Sequence, residues 1–156
     1  MMRRGLPLVV LLLSVGCATA ITPRANSREE IVSYVTQAAQ LVASEGLDAC
    51  STLSSPRWYS GGWYVFVFEM DGPVVCHPFQ PSRVGTMEND VVDSNGKRIG
   101  DAFMQAVKTP QRSGWVDYVW PRPGSDVPVA KSSYVVRVTA PDGKDYVVGA
   151  GGYQVQ

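Results

Sequence analysis

The side chains that could do chemistry in this chain are mostly aromatic, and their chemistry is that of holding a small molecule. Tyr64, Tyr118, Trp120 and Tyr134 each join a large apolar body to a hydroxyl or an indole N–H. Once buried, such a group needs a hydrogen-bond partner, and a ligand can supply one. Lys131 lies between a proline-rich stretch and a strand-like segment, where its ammonium could meet a carboxylate in a charge-assisted bond of roughly 1.5–3 kcal/mol. Its plain alternative is a solvated surface lysine. His77 is the only histidine. Without a second histidine or an acidic residue at ligand spacing it makes a poor metal site, and it reads either as a structural residue beside Pro78 or as part of a pocket wall.

Catalysis finds little support. Cys76 precedes His77 directly, but neighbours on a strand point to opposite faces, so the two cannot act as nucleophile and base. There is no glycine-rich phosphate loop, zinc spacing or nucleophile elbow. The expectation is a non-enzymatic protein with no cofactor and no metal.

The elements that must position these residues begin after an export leader. Met1 to Arg4 is basic, and Gly5 to Gly16 is a nearly continuous apolar run. About a dozen apolar residues is too short for a stable bilayer span and fits the core of a signal peptide. Residues 1–20 are therefore expected to be a leader and 21–26 a tether. Cleavage before Cys17, at a sequence similar to a bacterial lipobox with Ser14 where an aliphatic residue is usual, would leave a lipid-anchored protein. Cleavage after Ala20 would leave a soluble periplasmic one, and an uncleaved anchor is the third alternative. The body loses two of its 14 basic residues with the leader and keeps all 14 acidic ones. It has no basic run to gather phosphates, so nucleic acid is not an expected partner, and the membrane is reached only through the N-terminus. Outside the cytoplasm disulfides persist, so Cys50 and Cys76 form either a bridge or two buried thiols.

Residues 27–156 read as one domain, because 45% apolar and 18% charged residues suit a single core in a chain of 156 residues. Ser27 and Glu30 form a capping box ahead of a helix with Ile31, Val35, Ala38, Ala39 and Val42 at helical spacing, ending at Gly46. Trp63 to Met70 and Val74 to His77 read as a hairpin about Asp71-Gly72. Pro78 to Glu88 reads as irregular and Gly100 to Lys108 as a short helix. Trp115 to Trp120, Tyr134 to Thr139 and Tyr146 to Gly151 complete a five-stranded sheet, with Pro121 to Pro128 as a loop. The fold class is α+β. Alternation sets Val116, Tyr118 and Trp120 on one strand face, Tyr64, Phe66 and Phe68 on another, and Tyr134, Val136 and Val138 opposite Ser133, Val135 and Arg137.

The residues Tyr64 to Phe68, Asp71-Gly72, Cys76-His77-Pro78, Gly85, Asp93 to Lys97, Gly114 to Trp120, Lys131 to Val135 and Val147 to Gly151, in this order and spacing over residues 27–154, resemble a single Cache domain of the second type. The resemblance implies a PAS-like antiparallel sheet behind a long N-terminal helix, with a small-ligand pocket under covering loops. The family's Lys-x-x-Tyr pattern falls on Lys131 and Tyr134. Such domains serve chemoreceptors and sensor kinases and bind small organic acids or amines. Lacking a second span or output domain, this chain is expected to stand alone and to hand its signal to a membrane-bound kinase or chemoreceptor. A carboxylate would pair with Lys131 between Tyr118, Trp120 and Tyr134; an amine would need Asp117 or Glu69 beside the rings. A third expectation is a protein that binds no ligand and serves as an interaction partner.

Overall fold

The computed structural model describes residues 27–155. The leader, the tether and Cys17 lie outside them. Helix α1 spans Arg28–Glu45 and opens with the expected capping box: Ser27 Oγ accepts from the Glu30 amide at 3.2 Å, and the Glu30 carboxylate accepts from the Ser27 amide at 3.4 Å. Ile31, Tyr34, Val35, Ala38, Ala39 and Val42 are buried along one face. Gly46, at φ 63°, takes a backbone conformation that side chains disfavour and ends the helix. A turn then leads into the short helix α2, Ala49–Leu53.

The rest of the chain is sheet with one covering layer. Strands β1 (Tyr59–Ser60), β2 (Trp63–Glu69), β3 (Val74–Cys76), β4 (Ser113–Pro121), β5 (Pro128–Thr139) and β6 (Asp145–Tyr153) pair antiparallel in the order β1-β2-β6-β5-β4, with β3 also on β2. The expected five strands are present, joined by the two-residue β1. Asp71 turns the β2–β3 hairpin with φ 56°. Helix α3, Ile99–Val107, covers the other side of the sheet from α1.

The boundary that matters most to the site differs from the sequence reading: β5 begins at Pro128 rather than at Tyr134. Pro121 and Pro128 are not loop ends but the last ladder partners of β4 and β5, facing each other. A proline is tolerated at the end of a strand, where its missing N–H removes no interior bond. Lys131 consequently sits within β5, not ahead of it.

Each face of the sheet has its own core. Val65, Val67, Tyr146, Val148 and Ala150 pack with α1, α2 and Trp58. Phe66, Phe68, Val116, Val135 and Val147 pack with Ile99, Phe103, Met104 and Val107 of α3. Cys50 and Cys76 are bridged, with Cα atoms 5.6 Å apart, which ties α2 to the end of β3. Of the two arrangements open to these cysteines, the structure takes the disulfide. Among the described residues no helix is long and apolar enough to cross a membrane.

Candidate ligand-binding site

Strand register assembles the site on the α3 face. Directly paired residues of an antiparallel sheet share a face, and the ladders set Tyr118 opposite Lys131 and Lys131 opposite Tyr153. On β2, Tyr64, Phe66 and Phe68 point the same way. Glycines in β6 make the floor: a Cβ on Gly149 would lie 2.4 Å from Phe66 Cζ, and one on Gly151 would lie 2.2 Å from Ser133 Oγ. Bare backbone there lets both side chains seat.

The chain between β3 and α3 forms the roof. It carries His77, Arg83 in the turn Pro81–Arg83, Glu88 in the turn Glu88–Asp90, and Val91. Together with Tyr64, Phe66, Ile99, Phe103, Tyr118 and Trp120 these residues enclose a cavity of ≈ 10 Å³, about the room one water needs. The rings are thus close to fully meshed. Tyr64 stands 4.9 Å from the His77 ring and 5.6 Å from Phe79, and Phe103 meets Tyr118 edge-on at 5.8 Å.

Charge is concentrated at this site to an unusual degree for a buried place. Lys131 is 2% exposed; its Nζ donates to Tyr64 Oη at 2.7 Å and lies 4.2 Å and 4.9 Å from the Tyr64 and Tyr153 ring centroids. Among the described residues no carboxylate forms a salt bridge with it. Burial, then the Arg83 charge, pulls its pKa down to about 7, with Glu88 opposing. Arg83 Nη2 instead pairs with Glu88 at 2.7 Å. Burial holds the Glu88 carboxyl above the usual range although Arg83 works against it. His77 is driven down to about 3 by burial, Arg83 and Lys131, so it is neutral, and its Nδ1 accepts the Gln80 amide at 3.0 Å. Burial raises the phenols of Tyr64 and Tyr118, the latter 2.9 Å from Ser133 Oγ.

The structure brings together Tyr64, His77, Tyr118 and Trp120 as lining residues. Lys131 stands behind the Tyr64 hydroxyl in the same face. Tyr134 does not join them. Three residues from Lys131 on a strand reverses the face, and Tyr134 packs on the α1 side, 5.3 Å from the Trp115 ring, with its hydroxyl donating to Ser113 Oγ at 2.8 Å. Asp117 and Glu69 are also elsewhere: Asp117 is exposed and accepts from Ser132, and Glu69 pairs with Lys144 at 2.9 Å. The acid inside the site is Glu88. Arg83 and Glu88 escaped sequence reasoning because they lie in irregular chain with no periodicity to orient them. Their only trace is opposite charges five residues apart, which a surface pair would show equally. Among the described residues no group of His, Cys, Asp and Glu could hold a metal ion.

Comparison with known proteins adds a lineage to this geometry. The profile described as single Cache domain 2 matches residues 21–154. The methyl-accepting chemotaxis protein McpP of Pseudomonas putida is 28% identical over 142 residues, covering 82% of this chain and 25% of that protein. The chain thus spans about a quarter of the length of this curated relative. A solved periplasmic sensor domain of a chemotaxis protein is 34% identical, with a TM-score of 0.62 over 81% of this chain and 89% of the other. A Cache chemosensory domain, solved for the structural basis of its carboxylic acid recognition, is 26% identical, with a TM-score of 0.66 over 81% and 92%. A methyl-accepting chemotaxis protein from Vibrio parahaemolyticus, 22% identical with a TM-score of 0.65 over 80% and 86%, shares the fold.

Proposed function

The chain belongs to the single Cache domain 2 family, and from that premise we propose that it is an extracytoplasmic sensor module which captures a small organic carboxylate and passes the signal to a separate membrane receptor or kinase. The observation that carries this reading is Lys131: an ammonium 2% exposed, bonded to a phenol rather than to an acid. A buried cation without a counter-ion is costly. An entering carboxylate would supply what the fold leaves out, and the aromatic walls would exclude water from the pair. Recognition of carboxylic acids by a solved relative of the same fold supports the choice.

The test is a thermal-shift and calorimetry panel of acetate, propanoate and methylamine, run near pH 6 so that Lys131 is charged. Carboxylates should raise the melting temperature, since a ligand that binds only the folded state stabilises it. Stabilisation by methylamine alone would discard the carboxylate. A second reading, an interaction partner that binds no small molecule, is favoured by the cavity of only ≈ 10 Å³. That reading requires a silent panel.

A further inference from the structure

Arg83 and Glu88 line the cavity and neutralise each other, while Lys131 reaches its wall through the bond to the lining residue Tyr64 and has no acid of its own. We infer that Glu88 sets the charge class of the ligand: by occupying Arg83, it leaves the site one uncompensated cation and so selects a single carboxylate over two. This rests on the carboxylate reading above and says which residue decides between mono- and dicarboxylates.

The argument is one of charge balance in a dry place. Lys131 and Arg83 supply two positive charges and Glu88 one negative, while His77, Tyr64, Tyr118 and Tyr153 are neutral. One ligand carboxylate brings the site to neutrality. A second would leave an unpaired anion among aromatic rings, which is strongly unfavourable. Glu88 cannot readily swing aside to release Arg83, because its side chain is buried and its backbone is clamped to α3. Gly100 admits it so closely that a Cβ there would lie 2.3 Å from the Glu88 carbonyl oxygen. The Ile99 amide donates to Val91 O at 2.9 Å, and Arg98 Nη2 donates to Asn89 O at 2.7 Å, fixing the residues that follow Glu88.

Removing the acid should therefore free Arg83 for a second ligand carboxylate. The probes are acetate and malonate, measured by calorimetry near pH 6 on the wild-type chain and on Glu88→Gln, which keeps shape and a hydrogen-bond acceptor. The wild type should prefer acetate, and the variant should shift the malonate-to-acetate affinity ratio by at least about tenfold toward malonate. The Arg83→Gln/Glu88→Gln double variant carries the wild-type net charge and should keep the preference for acetate; it also serves as the reporter should Glu88→Gln fail to fold. An unchanged ratio in Glu88→Gln, or a malonate preference in the double variant, overturns the role of Glu88 while leaving carboxylate binding intact. Silence toward both acids in wild type and variants overturns both readings.

Discussion

Lys131→Met should stabilise the protein in the absence of ligand, and the gain should fade as pH rises. The shift of Lys131 from 10.5 to about 7 measures how much the folded state resists the charge. At ~1.36 kcal/mol per unit, about 3.5 units correspond to a burden of about 5 kcal/mol below pH 7. Methionine fills the same channel without a charge. It also forfeits the bond from Nζ to Tyr64 Oη and the contacts with two rings, a loss of about 2–3 kcal/mol together. The expected net gain near pH 6 is about 2 kcal/mol.

The sign of the pH dependence follows from where each state binds the proton. The unfolded chain holds it up to about pH 10.5, and the folded chain releases it near 7. Between these values the unfolded state carries more protons, so wild-type stability rises with pH, while the variant lacks this contribution. At pH 9 the burden has fallen to about 2 kcal/mol, so the variant's advantage should shrink by about 2.5 kcal/mol from its value at pH 6. Urea unfolding of both proteins at several pH values isolates this difference, because titrations common to both cancel. A difference that stays flat within ~0.5 kcal/mol, about the error of such double comparisons, would mean that folding does not resist this charge. Lys131 would then keep its proton in the folded state at every pH tested.

Three other variants probe the frame around the site. Replacing Cys50 and Cys76 by serine should cost about 3.5 kcal/mol, the loop-closure value for a separation of 26 residues, and should make the urea midpoint insensitive to reductant. Tyr134→Phe should leave acetate affinity unchanged, because that hydroxyl serves Ser113 on the opposite face; a tenfold loss by calorimetry, ~1.4 kcal/mol, would return Tyr134 to the site. Gly149→Ala should destabilise by about 1–3 kcal/mol in thermal unfolding, since its new Cβ would lie 2.4 Å from Phe66 and 2.9 Å from Val135 and both would have to shift within the core.

What could be read from the sequence is what neighbours along the chain decide. Ser27 and Glu30 announce α1 through a bond they make with each other, and Asp71-Gly72 announces the hairpin through its own backbone preference. Alternation placed Tyr118 with Val116 and Tyr64 with Phe66, and the structure keeps both sets. Alternation also separated Tyr134 from Ser133 and Val135, but which face holds the cavity depends on whether α1 or α3 covers it. That is decided by packing between distant segments. Lys131 falls ahead of its strand when that strand is begun at Tyr134, the first strongly β-forming run after the prolines, but β5 begins at Pro128, which closes the ladder with Pro121. Arg83 and Glu88 find each other only after the roof has folded, so no local pattern could name them.

Room for about one water beside Tyr64, Arg83 and Glu88 means that a carboxylate cannot simply fill an open site. It must exchange with something already there, and the group bonded to the Lys131 cation is the Tyr64 hydroxyl. Entry is then a swap in which Lys131 gives up a phenol for an acid and the Tyr64 ring shifts. That ring stacks on Phe79 and lies tilted against His77, so the shift would reach the roof that follows β3. Tyr64→Phe removes the competitor while keeping the ring. If the swap is the binding step, acetate affinity should rise by about fivefold, the worth of one net hydrogen bond near 1 kcal/mol. If calorimetry shows affinity falling tenfold instead, ~1.4 kcal/mol, the hydroxyl is a donor to the ligand, and Lys131 and Tyr64 hold the acid jointly rather than in turn.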